Sequence, residues 1–178
     1  MRQPLSILAA LSLVTACDNG TPLQPDDRLL TAAPALAAGG RATTVPFAAI
    51  LAVTGVLSPS DTVYTGKVVH IRGGDYVWDT SGDLTGTFVA TGDWLLHKSG
   101  LGTGSGPWYM VVTNPCIGGF EGNWHGVLDP DFNGTLLGQG TDGCRGITLK
   151  ADFWPVTPGN IFVQHAVGTL HSSNARTP

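Results

Sequence analysis

The sequence predicts an all-β protein: an eight-stranded antiparallel up-and-down barrel, preceded by a signal peptide and a flexible tether. Three observations carry that expectation. Charged residues are only 12% of the 178 residues, Gly occurs 25 times, and the one Glu is Glu121. Helix-favouring side chains are therefore scarce, while frequent Val, Thr and Trp suit strands joined by tight turns. Apolar residues and glycines fall on the same face of period-two segments. The connections between these segments are short and no helical pattern separates them, which argues against parallel βαβ units and for an antiparallel meander.

Eight candidate strands lie near residues 45–57, 66–79, 82–96, 107–114, 117–128, 132–140, 145–154 and 160–170. Each is a run rich in Val, Ile, Thr, Phe or Trp, bounded by Gly, Pro, Asn or Asp. Ser81-Gly82, Asp129-Pro130-Asp131, Thr141-Asp142-Gly143 and Pro158-Gly159 are the expected turns. Alternation is clearest in three strands. In the third, Leu84, Gly86, Phe88, Ala90, Gly92 and Trp94 oppose Asp83, Thr85, Thr87, Thr91 and Asp93. In the fifth, Phe120, Gly122, Trp124, Gly126 and Leu128 oppose Glu121, Asn123, His125 and Val127. In the sixth, Phe132, Gly134, Leu136, Gly138 and Gly140 share one face. Glycines on an inward face let strands bend and opposing side chains approach, as a small closed barrel requires. The alternating glycines from Gly100 to Gly106 precede no strand-to-helix unit, so they are expected to form a flexible hairpin loop and no phosphate cradle.

Ahead of the strands, Arg2, the apolar run Leu5 to Val14 and the small residues before Cys17 have the layout of an export signal. The run is about half the length that crosses a bilayer as a helix. Val14-Thr15-Ala16-Cys17 resembles the lipobox of bacterial lipoproteins. That resemblance implies cleavage before Cys17, a diacylglycerol on its thiol and an acylated amino group. Several chains together hold a protein stably on a membrane, here one facing the periplasm or the cell exterior. An ordinary export signal containing a cysteine is the alternative. On this division residues 1–16 are the signal, 17–42 the lipidated tether, 43–172 the barrel domain and 173–178 a tail. The tether, with Pro22, Pro25, Pro34 and Gly39-Gly40, shows no amphipathic stripe.

Net charge is −4, one unit more negative once Arg2 is removed, and no Lys/Arg cluster appears. A nucleic-acid partner is therefore disfavoured. No cofactor is expected. Lipidation of Cys17 leaves Cys116 and Cys144, which in an oxidising compartment form one disulfide. Two unrelated free thiols are the alternative. Cys116 precedes the fifth strand and Cys144 the seventh. Strands of like parity in a meander start at the same end, so the cysteines would lie on neighbouring end loops. Their Cα atoms must still approach to within about 7 Å.

Lys67 to Gly73, Gly82 to Phe88, Phe120-Glu121-Gly122, Trp124-His125-Gly126 and Gly138-Gln139-Gly140-Thr141 together resemble the allene oxide cyclase barrel and its dirigent-type and bacterial relatives. The resemblance covers roughly residues 60–170. It implies an eight-stranded antiparallel barrel with an interior cavity. Plant members cyclise an unsaturated fatty-acid epoxide, dirigent members steer phenolic radical coupling, and many bacterial members have no assigned activity. No catalytic residue of the plant enzymes maps onto this chain, and none is nominated; Glu121 falls on the polar face.

Asp129, Asp131 and Asn133, followed by Gly134, match the first half of a calcium loop. The twelfth position is Gly140, which lacks the required carboxylate, so a tight hairpin is the simpler account. The five histidines have no metal-ligand spacing, and no Gly-x-Ser-x-Gly elbow is present. Among five tryptophans, Trp94 and Trp124 share faces with glycines. With Phe88 and Phe120 they are the candidate lining of an apolar site. The same rings could instead fill the barrel solidly. The leading expectation is an anchored barrel that binds a small apolar ligand or a partner. The rivals are an isomerase or cyclase acting by shape and positioning, and a structural envelope protein with a filled barrel. The interior discriminates among them.

Overall fold

The computed structural model describes residues 42–173. Cys17, the signal, the tether up to residue 41 and the tail from residue 174 lie outside the described residues. The strands are β1 (Thr43–Ser58), β2 (Asp61–Thr65), β3 (Val68–Gly82), β4 (Thr85–His97), β5 (Gly102–Asn114), β6 (Gly118–Asp129), β7 (Asp131–Asp142), β8 (Ile147–Pro155) and β9 (Val163–Ser172). All pairings are antiparallel, in the order β1-β9-β8-β7-β6-β5-β4-β3-β2, and β1 also pairs with β3. β1 and β3 to β9 thus close an eight-stranded up-and-down barrel.

β2 is a ninth strand that the sequence pattern does not reveal. All five of its residues are exposed, so it has no buried face to impose alternation. It pairs with Val68 to Arg72 of β3, whereas β1 pairs with Asp75 to Gly82. Two bulges near the end of β1 and one between Ile71 and Gly74 mark this handover, and bulges bend and twist the strands that carry them. β9 follows β1 only as far as the pair Ala52 and Val163. Between β2 and β9 the barrel wall is therefore open at one end.

β5 corrects the expected loop at Gly100 to Gly106: the strand already runs from Gly102. Gly104 and Gly106 pair with Gly126 and Trp124 of β6. Alternate glycines there are an inward face, not a flexible connection. The expected turn at Ser81-Gly82 moves to Asp83-Leu84, with Gly82 ending β3 at a φ of +108°. Asp129 and Asp131 face each other across Pro130 in the β6–β7 hairpin.

Alternation sorts the side chains. Along β8, Ile147, Leu149, Ala151, Phe153 and Pro155 are buried, while Lys150, Asp152 and Trp154 are exposed. One core results, containing Phe47, Leu84, Trp108, Met110, Val112, Phe120, Leu149 and Leu170. These residues belong to the end where β1 enters, where β9 finishes and where the β3–β4, β5–β6 and β7–β8 connections lie. That end is filled. The disulfide Cys116–Cys144 joins two of its loops with a Cα–Cα distance of 5.5 Å, as strand parity permits. Cys144 is fully buried.

Candidate functional site

The other half of the barrel is hollow. A cavity of about 430 Å³ opens at the end where β2 lies, within the ~300–1,000 Å³ usual for small-molecule sites. The β1–β2, β4–β5, β6–β7 and β8–β9 connections surround its mouth. The β8–β9 loop brings Ile161 and Phe162 to the wall, and Phe162 is 58% exposed, so the lining continues onto the rim. Leu57, Val63 and Tyr64, on the mouth ends of β1 and on β2, are exposed as well.

The wall is built by aromatic rings on inward positions. Trp94 of β4 lies 5.2 Å from Trp124 and 4.8 Å from Phe132, centroid to centroid, and Phe132 lies 4.9 Å from Phe153. Tilted and edge-to-face pairs of this kind are each worth about 0.5–1.5 kcal/mol beyond the area they bury. Glycines permit the arrangement. A Cβ on Gly104 would lie 2.5 Å from the Trp94 ring and 2.8 Å from that of Trp124. The Trp124 indole donates a 2.8 Å hydrogen bond to the Thr91 carbonyl oxygen, which fixes the ring. On β4, Ala90 and Gly92 also line the cavity, and their small side chains leave the space that larger residues would occupy.

Three of the four expected lining residues, Trp94, Trp124 and Phe88, belong to the cavity wall. Phe120 does not. It is 1% exposed within the filled core, four residues back from Trp124 along β6, or about 13 Å at the ~3.3 Å rise of a strand. Phe88 links the two halves, with its ring 5.4 Å from Trp108 and 6.4 Å from Trp78. Trp108 packs on Gly138, where a Cβ would come within 2.5 Å of the indole, and plugs the filled end. Trp154 faces outward and stacks on His165.

The calcium candidates lie at the β6–β7 hairpin. One Asp131 carboxylate oxygen accepts a 2.8 Å hydrogen bond from the Gly159 amide, and the Asn133 amide donates to the Asp131 carbonyl. Among the described residues no group of three or more His, Cys, Asp or Glu side chains is placed to hold a metal. Glu121 is exposed, on the outer face.

Several lining residues escaped the sequence pattern: Leu51, Tyr76, Trp78 and, above all, Gln164. Gln164 is 1% exposed. Its amide nitrogen donates to the Ile161 carbonyl oxygen at 2.9 Å and its Oε1 has no partner. The assignment of oxygen and nitrogen follows from the contact, since only the nitrogen can meet a carbonyl. The Trp78 Nε1 is also buried without a partner. Each such group costs about 1–3 kcal/mol unless something meets it. A signal for Gln164 was present in the sequence, because it interrupts the inward series Gln164, Ala166, Gly168, Leu170 with one polar residue. A polar residue on an otherwise apolar face is the informative exception.

Fold and site together define a closed antiparallel barrel, plugged at one end and bearing an apolar cavity at the other. No protein-family model matches the chain, and no significantly similar curated protein was found.

Proposed function

We propose that this protein is a lipid-anchored, extracytoplasmic binding protein that holds a small apolar molecule in the mouth half of its barrel. The observation that carries this reading is the cavity of about 430 Å³, walled by aromatic and aliphatic side chains and open at one end. A barrel whose role was purely structural would gain stability by filling that space, because empty volume forfeits dispersion contacts. The likeness to allene oxide cyclase-type barrels agrees with an interior site. The disulfide is consistent with an oxidising compartment outside the cytoplasm. Among the described residues no helix is long and apolar enough to cross a membrane, and anchorage is assigned to a lipid on Cys17. The described residues begin at the filled end of the barrel, where β1 enters.

Native mass spectrometry of the full chain tests the binding role. A co-purified apolar molecule, displaced by an added hydrophobic probe, is the expected result. Recovery of empty protein that also fails to take up the probe would sink the reading. For the anchor, incorporation of a clickable palmitate analogue should be lost on Cys17→Ala; labelling that survives the substitution would refute lipidation at Cys17.

A further inference from the structure

Exposed apolar side chains gather on one side of the mouth. Leu57 at the end of β1 and Tyr64 on β2 are 64% and 78% exposed, and Val63, Leu101 and Phe162 are exposed as well. They sit on β1, β2, the β4–β5 connection and the β8–β9 loop, around the part of the wall that β2 and β9 leave open. Phe162 also lines the cavity, so an apolar surface runs from the interior out onto this patch. On the connections of the filled end, Ile117 is the only large apolar side chain exposed among the described residues. Charge is divided in the same sense. Exposed Lys67 and Lys98 occupy the β2–β3 and β4–β5 tips, which a 3.1 Å hydrogen bond from the Lys98 amide to the Lys67 carbonyl oxygen holds together. Asp61 is the one acid on β2, and it is paired in register with Arg72 of β3. Asp129 and Asp131 lie on the β6–β7 hairpin, across the barrel from β1 and β3.

From this arrangement we infer that the β2 side of the mouth rests on the surface of an anionic lipid bilayer, with which the cavity exchanges its ligand. This rests on the barrel being a ligand-binding module. Apolar groups exposed to water gain free energy on entering the boundary between headgroups and acyl chains. Tyrosine suits that level, because its ring and its hydroxyl favour different media. The lysines at the two tips meet anionic headgroups, and the negative surface potential attracts each of them. The acids of the β6–β7 hairpin stay in water on the far side. The open stretch of wall then adjoins the bilayer, and an apolar molecule reaches the cavity past Phe162 without crossing water. A second copy seated on the patch would instead close that opening. Attachment at Cys17 does not oppose this orientation. The 24 residues from Asp18 to Arg41 can span up to about 80 Å, whereas a 13-residue strand such as β4 is only ~45 Å long.

Photo-crosslinking of the full chain on vesicles tests this. Benzoylphenylalanine is placed at Tyr64, at Phe162 or, at the filled end, at Ile117, on vesicles of phosphatidylcholine with or without phosphatidylglycerol. All three side chains are exposed, so the replacements disturb no core packing. The two mouth positions should form lipid adducts several-fold more often than position 117, and more often still when phosphatidylglycerol is present. A tether acting alone would favour position 117, at the end where β1 enters, so the comparison reads the docking itself. Lys67→Glu together with Lys98→Glu should abolish the gain from phosphatidylglycerol, as should high salt. Uptake of a fluorescent apolar probe is measured in the same preparations. Adducts as frequent at position 117 as at the mouth, with the probe still bound, would overturn the docking alone. Adducts from position 64 to a second copy of the chain, in place of lipid, would overturn it too. Failure of the unaltered protein to take up the probe would overturn the binding role, and the exchange with it.

Discussion

Asp75 sits where three strands meet. Its carboxylate accepts a 2.6 Å hydrogen bond from the Thr91 hydroxyl of β4 and one of 2.8 Å from the Ser58 hydroxyl at the end of β1. The Thr91 bond, and then the Ser58 bond, lower its pKa from the ordinary 3.8. Because the folded value is the lower one, the stabilisation is present above the unfolded pKa. It is lost as pH falls through the folded value. Urea midpoints measured between about pH 5 and pH 2 should therefore fall less steeply for Asp75→Asn than for the unaltered protein. The effect should be modest because the group is partly exposed, and parallel curves would show that the contacts carry no linkage. Gly104 makes the second residue-scale case. An added methyl has only rigid indole rings to meet, those of Trp94 and Trp124. Gly104→Ala should cost about 1–3 kcal/mol in urea unfolding and change the intrinsic fluorescence of the cavity tryptophans. An unchanged midpoint would mean that the rings move aside freely.

At the scale of elements, the period-two pattern was sufficient wherever one strand face is buried and the other wet. β6 and β7 follow their expected alternation, and β8 alternates in the same way. It failed in two places for opposite reasons. β2 buries neither face, so nothing distinguishes it from a loop. The start of β5 has glycine at its inward positions, and the side chains that define its core face come from β4 and β6. A loop-like composition can be a strand when neighbours supply the volume. The disulfide, by contrast, was expected from the two cysteines left once Cys17 is assigned to lipid, and strand parity made the bridge geometrically possible. It closes a separation of 28 residues between the β5–β6 and β7–β8 loops. Replacing both cysteines with Ser should lower stability by about 2–4 kcal/mol. Because the bridge lies at the filled end, the affinity for an apolar probe in folded protein should stay the same. A large loss of affinity would show that the two halves are coupled.

Over the whole molecule, the two accounts of the tryptophans both hold, each for its own half of the barrel. Trp108 belongs to a solid plug, whereas Trp78, Trp94 and Trp124 line open space. That division separates a packed half from a hollow one. A larger residue at Ala90, on the inward face of β4, should fill the hollow half. Ala90→Leu is expected to raise the melting temperature by a few degrees, corresponding to about 1 kcal/mol, and to reduce apolar probe binding at least tenfold. A variant that is more stable but binds as well would place the ligand elsewhere. One that is less stable would show that the wall cannot accept the added volume.

The amino-acid sequence by itself determined the all-β class, the antiparallel meander of eight barrel strands and the outward position of Glu121. These follow from local periodicity and short connections, which are properties of the chain read in order. Only the tertiary structure decided that Phe120 lies in the plug while Phe88 lines the cavity, that glycines of β5 face indoles from two other strands, and that Gln164 and Trp78 flank β1 beside the same hollow. Which inward residues share a level along the barrel axis depends on the register between strands, and on bulges such as those in β1 and β3. Alternation within one strand carries no record of either.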